Sequence, residues 1–531
     1  MAGSVRLGRK GIIRRLFRNR KDRQLFEDIV VNDDVTAPAG CNQVVRRVLR
    51  EFDLDIVLES LKRNQGVSMY DLTACMVTHA MQMRGLSINR MEDILEEPEM
   101  QEVYGLDRGI DKNDLYRASE KLGMNMEVIV DRLTTVLKKK FGMSFDEVFF
   151  DWSATYIDGE PTDFIRFGHS KDHRSDRPQV NVGMVMDSNK RMAIGLTVVP
   201  GNMDDKTHFP KLFRTVKRFL NPGCLIVFDN GAYSDTNGKL VRESGFDYLT
   251  RAKWTSSDDR RITEVAEWTV MPQRGIDGTV TTPEEGERDY VRKYRGNSGT
   301  VKILVFSEKK YEADMMSYRR KAERDFDEAM ELSSSIRNGK PRKKYRNANW
   351  FVDVKQSYVF NLETMKDRKA AVEAAVQTRI TGHEGYFILT CSRDIDPCEA
   401  LRIYRSRNHI EDAYRDLKTG IDLRPLRCRS RDGIKGRILI SFLALFVISF
   451  IRHIVPEAST LRAETMISEL NRFSVTARGS KNGGKRLEYS GFTPFIRMLM
   501  RAFGSLSERY IPPYVPQTPL PEGVLRPIID N

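Results

Sequence analysis

The sequence is poor in the features that mark a secreted, zinc-bound or membrane-spanning chain. Its 531 residues hold six cysteines (Cys41, Cys75, Cys224, Cys391, Cys398, Cys428), scattered, with no CxxC pair and no histidine beside them at zinc spacing. That pattern argues against a disulfide framework or a zinc site and fits a reducing, cytoplasmic setting. The N-terminus is basic but has no apolar stretch long enough for a signal peptide; Ile12, Ile13, Leu16 and Phe17 among arginines read as a short basic amphipathic helix. Long hydrophobic runs are missing too. Ile438–Ile451, 14 charge-free residues between Arg437 and Arg452, is too short to span a bilayer and reads as a core helix. Internal repeats and low-complexity tracts are absent, although the Pro-rich end (IPPYVPQTPLPEG) makes residues 459–531 read as a tail that wraps or dangles.

Positive charge is plentiful. The formal net charge is +13 and the pI about 9.3, with 40% hydrophobic and 30% charged residues, the balance of a soluble globular protein. The charge is clustered: residues 1–23 carry nine Lys/Arg and one acid, Leu401–Ile454 carries twelve against five, and Lys340–Arg346 (KPRKKYR) packs five into seven positions. Clusters of this kind suit a polyanionic partner.

Hydrophobic period divides the chain. Residues 1–145 read as helical, with three-and-four spacing over Val44–Asn64 and Asp114–Phe141, no strand run, and Asp111 or Asn113 as a helix cap. A helical, partly basic leader suits a DNA-binding domain. Three strands follow (Glu147–Trp152, Val180–Asp187, Met192–Val199), then a helix at Phe209–Leu220 and an apolar strand, Cys224–Phe228, closed by Asp229. A helix near Asp235–Glu243 and a strand at Phe246–Arg251 complete the run, which is the element order of a ribonuclease H-like fold. Between 255 and 376 the pattern breaks into short strand-like runs (Val301–Phe306, Trp350–Val354) and one long charged helix, Glu312–Arg337. Gly385–Cys391 resumes as a strand leading into Pro397–Lys418.

The stretch YRSRNHIEDAYRDLK carries the chemistry. Tyr404, Arg407, Glu411 and Lys418 are spaced three, four and seven apart, which on one helix puts them within an arc of roughly 60°. Ile403, Ile410, Tyr414 and Leu417 form an apolar arc beside it. The helix then packs on one stripe and presents a carboxylate with two cations and a phenol on the next, a face suited to a metal ion among phosphate oxygens.

Tyr404-x2-Arg407-x3-Glu411-x6-Lys418 resembles, at all four places, the signature of the insertion-sequence transposases of the DDE type whose last catalytic helix reads Y-R-E-K (the insertion sequence four superfamily). Arg424-Pro425 and the apolar run after it resemble the same family, as do the GHSKDHR stretch at Gly168–Arg174 and the turn Pro200-Gly201-Asn202. One departure is WSATY after Asp151, where close relatives often carry a compact hydroxyl pair; no ligand is lost by it. The resemblance implies an α/β, ribonuclease H-like catalytic core at 146–254 and 377–455, interrupted by an inserted, partly β domain at 255–376. A helical DNA-binding domain precedes it at 1–145 and a tail follows at 456–531.

The resemblance makes Asp151, Asp229 and Glu411 the catalytic acids and metal ligands. Carboxylates from separate elements hold two Mg²⁺ or Mn²⁺ ions about 3.5–4 Å apart in such sites. Asp158, beside Gly159, and Asp235, at a helix start, are the competing acids. Tyr404, Arg407 and Lys418 are expected to hold DNA phosphates. His169 and His173 read as loop residues or backbone contacts; Trp152, Trp254, Tyr386 and Phe387 could stack on a base but read first as packing residues. The implied activity is strand cleavage at mobile-element ends and strand transfer into target DNA, by a cytoplasmic, nucleoid-associated protein that pairs two ends as a homodimer and has no membrane partner. A non-catalytic DNA-binding descendant of the fold is the alternative, and a structure-selective nuclease a third.

Overall fold

Apolar residues at helical spacing make the N-terminal region a helical bundle. The computed structural model describes residues 35–503 except 63–66, 83–85, 96–103, 105, 107–109, 172–173, 265, 275–278, 297–298, 338–366, 421–425 and 480–484. After a short strand β1 (Val35–Pro38) come α1 (Gly40–Glu51), α2 (Leu54–Ser60), α3 (Met69–Gln82), α4 (Ile88–Leu95), α5 (Lys112–Met124) and α6 (Met126–Lys139). The helix expected over Val44–Asn64 is two helices, because Asp53 adopts a left-handed conformation (φ 53°) that an α-helix cannot continue through. Asn125 likewise divides the helix expected over Asp114–Phe141. Asp111 caps α5, its side chain accepting from the Asp114 N–H at 2.9 Å in a reciprocal capping box.

Strand β1 corrects the reading that no strand precedes residue 145. Its four residues have no pattern of their own; they are held in register by a partner at the other end of the chain.

Period-two sequence then builds one mixed sheet. β2 (Glu147–Tyr156), β3 (Gln179–Asp187) and β4 (Ala193–Pro200) form an antiparallel meander. Helix α7 (Asp205–Val216) leads to β5 (Leu225–Phe228), and α8 (Asp235–Glu243) to β6 (Asp247–Ala252), with β2, β5 and β6 parallel. Beyond α9 (Ser256–Thr263) come β7 (Thr269–Val270), a separate two-stranded pair β8 (Gln273–Arg274) and β9 (Val280–Thr281), then β10 (Asp289–Arg295) and β11 (Val301–Ser307). Two helices, α10 (Glu308–Arg337) and α11 (Arg368–Gln377), precede β12 (Tyr386–Cys391). The nine-stranded order is β4-β3-β2-β5-β6-β12-β11-β10-β7, so strands on both sides of the long charged helix extend the sheet that carries Asp151.

The C-terminal part closes the molecule. α12 (Pro397–Ser406) and α13 (Asn408–Arg415) lie against the sheet, and α14 (Arg431–Ile454) contains the apolar run. Almost every residue of α14 from Gly433 to Ile451 is buried inside the protein, as a core helix requires. It crosses α5 at two glycines: a Cβ on Gly123 would overlap the Asp432 carbonyl, and one on Gly436 the Ser119 carbonyl. Phe52 sits between Phe141, Phe446 and Phe450 at 5.1, 4.8 and 5.0 Å, joining N-terminal bundle and core helix in one apolar interior.

Of the two expectations for the tail, that it wraps or dangles, the structure shows the first as far as residue 503. α15 (Ala463–Arg472), β13 (Ser474–Gly479), β14 (Lys485–Ser490) and α16 (Pro494–Phe503) are folded, and β13 pairs with both β1 and β14. Leu470, Phe495, Ile496 and Leu499 are the apolar residues that anchor it, each buried. The basic stretches 1–23 and 340–346, the strand expected at 350–354, Arg424-Pro425 and the Pro-rich end lie outside the described residues.

Candidate active site

Two strand ends begin the site. β2 and β5 are parallel neighbours with Glu147 opposite Leu225 and Phe149 opposite Val227. Carrying that register two residues further sets Asp229, at the end of β5, level with Asp151 in the middle of β2. The strands flanking both acids are fully apolar and buried (VFF before Asp151, LIVF before Asp229), so each carboxylate stands at the rim of a rigid core. Tyr414 fastens β2 from above: its hydroxyl lies 2.9 Å from the Asp151 carbonyl oxygen and 3.0 Å from that of Val182 on β3, donating between them.

The helical face meets these strand ends. Arg407 Nη2 donates to Glu411 Oε1 at 2.6 Å, and its Nη1 stands 3.6 Å from Asp151 Oδ1. The Tyr404 hydroxyl donates to Asp229 Oδ1 at 3.3 Å, and the Arg407 guanidinium lies 5.8 Å over the Tyr404 ring. Thus Asp151, Asp229, Glu411, Tyr404 and Arg407 are brought together across 260 residues of chain, while the apolar arc Ile403, Ile410, Tyr414 and Leu417 is buried beneath.

The helix departs from the regular one expected. It tightens at Arg407, where Arg407 N bonds Tyr404 O and Ile410 N bonds Arg407 O, both three residues apart. After Arg415 it widens into a π turn, Asp416–Gly420, which carries Lys418 half-buried. Since a π turn holds more residues than an α turn, Lys418 is rotated from the position that 100° per residue assigns it. Arg452 of α14 pins this turn through Asp416 at 2.8 Å.

Charge explains why these groups cluster. Burial pushes the Asp151 carboxyl up to about 6, with Glu411 adding to the rise and Arg407 and Lys171 opposing it. Burial also raises the Tyr404 phenol, to about 12, with Asp229 contributing. For Arg407, burial works against the charged form, but Asp151, Tyr404, Glu411 and Asp229 outweigh it and raise its pKa. Its buried Nε has no hydrogen-bond partner, so the guanidinium is placed by charge rather than by a full set of bonds. Among the described residues no three His, Cys, Asp or Glu side chains stand close enough together to hold a metal ion, and the Arg407 guanidinium contacts both Glu411 and Asp151. The donor set is nonetheless all oxygen, gathered on rigid strand ends and one facing helix, which is the chemistry a hard divalent cation takes.

The other acids go elsewhere. Asp158 pairs with Arg177 at 2.7 Å and Arg427 at 3.6 Å on the surface. Asp235 lies in the first turn of α8, where Ser234 rather than Asp235 is the cap. Trp152 is buried against Phe150 and Phe209. Trp254 bonds Asp259 and stacks on His383, Tyr386 packs on Phe306, and Phe387 lies under Arg251. His169 is exposed, and His173 lies outside the described residues.

One participant escaped the sequence reading. Lys171 donates to the Trp152 carbonyl at 2.8 Å and to Asp205 Oδ2 at 3.0 Å, tying the loop after β2 to the strand beside Asp151. The signal was present in fragments: Gly168 packs so closely on the Gly201 carbonyl that a Cβ would overlap it, and Gln179 Nε2 bonds both His169 O and Gly201 O at 3.1 Å. The GHSK and PGN stretches are therefore two halves of one docking contact.

No curated protein matches the chain. Among solved structures, the cryo-EM structure of the piggyBac transposase synaptic complex with hairpin DNA is similar at a TM-score of 0.36 and 10% identity, over 82% of this chain and 79% of that one. A family model described as a transposase DDE domain matches residues 144–447, the span that holds β2 through most of α14 and all the acids above. By that match over more than half its length, the chain belongs to the DDE-domain transposase family.

Proposed function

We propose that the protein cuts DNA at the ends of a mobile element and joins the freed 3′-hydroxyl to target DNA, using a ribonuclease H-like core and the Y-R-E-K helix. The observation that carries this reading is the convergence of Asp151 and Asp229, level on adjacent parallel strands, with Glu411 through the side chains of Arg407 and Tyr404. Asp151, Asp229 and Glu411 would hold the divalent ions, Mg²⁺ or Mn²⁺, which supply charge neutralisation at the scissile phosphate and a nucleophilic water or hydroxyl.

This chain's own groups do the positioning. Glu411 leaves Arg407 to face the strand-end aspartates, and Arg407 turns its fork onto a DNA phosphate next to the cut. Tyr404 holds Asp229 in place, and Lys418 adds a point charge to the phosphate clamp. Residues 1–145 would recognise the element end and 255–376 would be the inserted domain, with two copies of the chain pairing two ends. Both hydrolysis and joining are in-line displacements at phosphorus, so one acid set serves both.

The test is cleavage of a labelled duplex carrying the element end. Glu411→Ala, Asp151→Ala or Asp229→Ala should abolish cutting and leave end binding intact, and chelator should stop the parent protein. Cutting by Glu411→Ala at near the parent rate, or in excess EDTA, would overturn the assignment.

A further inference from the structure

A cavity of about 700 Å³ lies on the flank of α13 away from the acids. Its walls come from four places: the β3–β4 turn (Lys190, Arg191), α13 (His409, Asp412), the end of α14 (Arg452, His453) and the start of α15 (Arg462 at its cap, Glu464 in its first turn). The size is that of a small-ligand pocket. Met186, Ala413 and Leu461 give the lining an apolar part, and its charged side chains are in majority cationic: Lys190, Arg191, Arg415, Arg452 and Arg462.

Ion pairing decides what remains for a ligand. Asp412 is neutralised by Arg415 at 2.7 Å, and Asp416 by Arg452 at 2.8 Å. Lys190, Arg191 and Arg462 make no side-chain ion pair or hydrogen bond among the described residues, against one further wall acid, Glu464. Burial, with the Lys190 charge adding to it, holds His453 below the usual imidazole range, and burial with Arg191 does the same for His409. His409 packs on Phe149 and His453 on Phe450, each with one ring nitrogen lacking a hydrogen-bond partner.

The turn that presents the two cations is built at a cost. The Asp187 carboxylate accepts from the Lys190 N–H at 2.6 Å, and Arg191 is held in the left-handed region at φ 55°, where a long side chain is disfavoured. A glycine or asparagine there would relieve the strain; an arginine keeps it and points charge at the cavity mouth.

We propose that this cavity is a second anion site, which takes a phosphate oxyanion against Lys190, Arg191 and Arg462, separate from the acid cluster on the other side of the helix. It goes beyond the proposed function, because it requires no metal and no cleavage. The phosphate belongs either to a DNA backbone or to a free phosphate compound.

The probe is inorganic pyrophosphate, titrated calorimetrically into the full chain in metal-free buffer. One saturable site per chain is expected, weakened about tenfold or more in a Lys190→Ala/Arg462→Ala double variant and unchanged in Arg407→Ala. Arg191→Gly provides the control for folding: it should melt no lower than the parent, having lost a strained residue, yet bind pyrophosphate more weakly. No saturable binding, or binding lost in Arg407→Ala and kept in the double variant, overturns the proposal. A parallel titration with end-bearing duplex assigns the source. If DNA occupies the site, pyrophosphate competes with duplex and the double variant lowers the salt slope by about 1 to 2. If a free phosphate compound does, duplex binding is the same in both proteins.

Discussion

Asp151 is a carboxylate placed where a carboxylate is costly. Its pKa, raised to about 6, means that the folded protein keeps a proton the unfolded chain releases near pH 4. Stability is therefore lost as pH rises through the window from about 4 to about 6, and the deficit persists at neutral pH. Asp151→Asn should accordingly stabilise the metal-free protein by about 1–3 kcal/mol near pH 7.5, with the gain vanishing below about pH 4. Thermal melts of both proteins across that range check this. Mg²⁺ should raise the melting point of the parent and not of the variant, since a ligand that binds only the folded state stabilises it.

Arg407 is the group that makes the acids tolerable to one another. Arg407→Ala should impair cutting and joining while metal dependence stays normal, and Arg407→Lys should not rescue, because one ammonium cannot grip two phosphate oxygens as the fork does. Turnover and melting point measured on the same variants separate the roles. A mere surface ion pair would shift stability by well under about 1 kcal/mol and leave turnover alone. At this scale the sequence was legible because a four-residue spacing on a helix is local information. Lys171 was not, because its contacts lie 19 and 34 residues away.

At the scale of elements, α14 decides where α13 sits. Arg452 holds the π turn at Asp416, and α14 itself is set against α5 by the contacts of Gly123 and Gly436. Gly436→Ala would drive a methyl into the Ser119 carbonyl, so it should destabilise by about 1–3 kcal/mol or more, although alanine has the better helix propensity. Denaturant titration measures it; a neutral or stabilising result would mean that the two helices are free to separate. The type of most elements followed from apolar periodicity, but their breaks did not. Nothing in the local pattern of Val44–Asn64 announces that Asp53 turns left-handed, and no local rule widens the helix after Arg415 into a π turn.

For the whole molecule, charge and connectivity give different expectations. The basic clusters at 1–23, 340–346 and 401–454 should make DNA binding fall steeply with salt, as phosphate contacts release counterions. A binding constant flat between about 50 and 200 mM salt would contradict this. Truncation is constrained by packing. Removing residues 1–140 as a block would strip α5 from α14 and β1 from β13, exposing an apolar helix and a sheet edge, so the product should be insoluble. Removing only 1–34 should leave a folded protein with weaker DNA binding; aggregation of that shorter deletion, judged by size-exclusion chromatography, would refute it.

The sequence by itself determined the family resemblance and the order of strands and helices between 147 and 251, and it singled out Asp151, Asp229, Glu411, Tyr404 and Arg407, whose side chains the fold brings together. All of these are encoded in short-range spacing: period two, period 3.6, and a carboxylate at the end of an apolar run. Only the tertiary structure decided that the two ends of the chain pair as β1 and β13, and that strands on both sides of the long charged helix extend the central sheet. It alone placed Arg407 between Asp151 and Glu411 and brought Lys171 to the strand beside Asp151. These are contacts between segments tens to hundreds of residues apart, chosen by which surfaces bury apolar area and balance charge together. No window along the chain contains both partners.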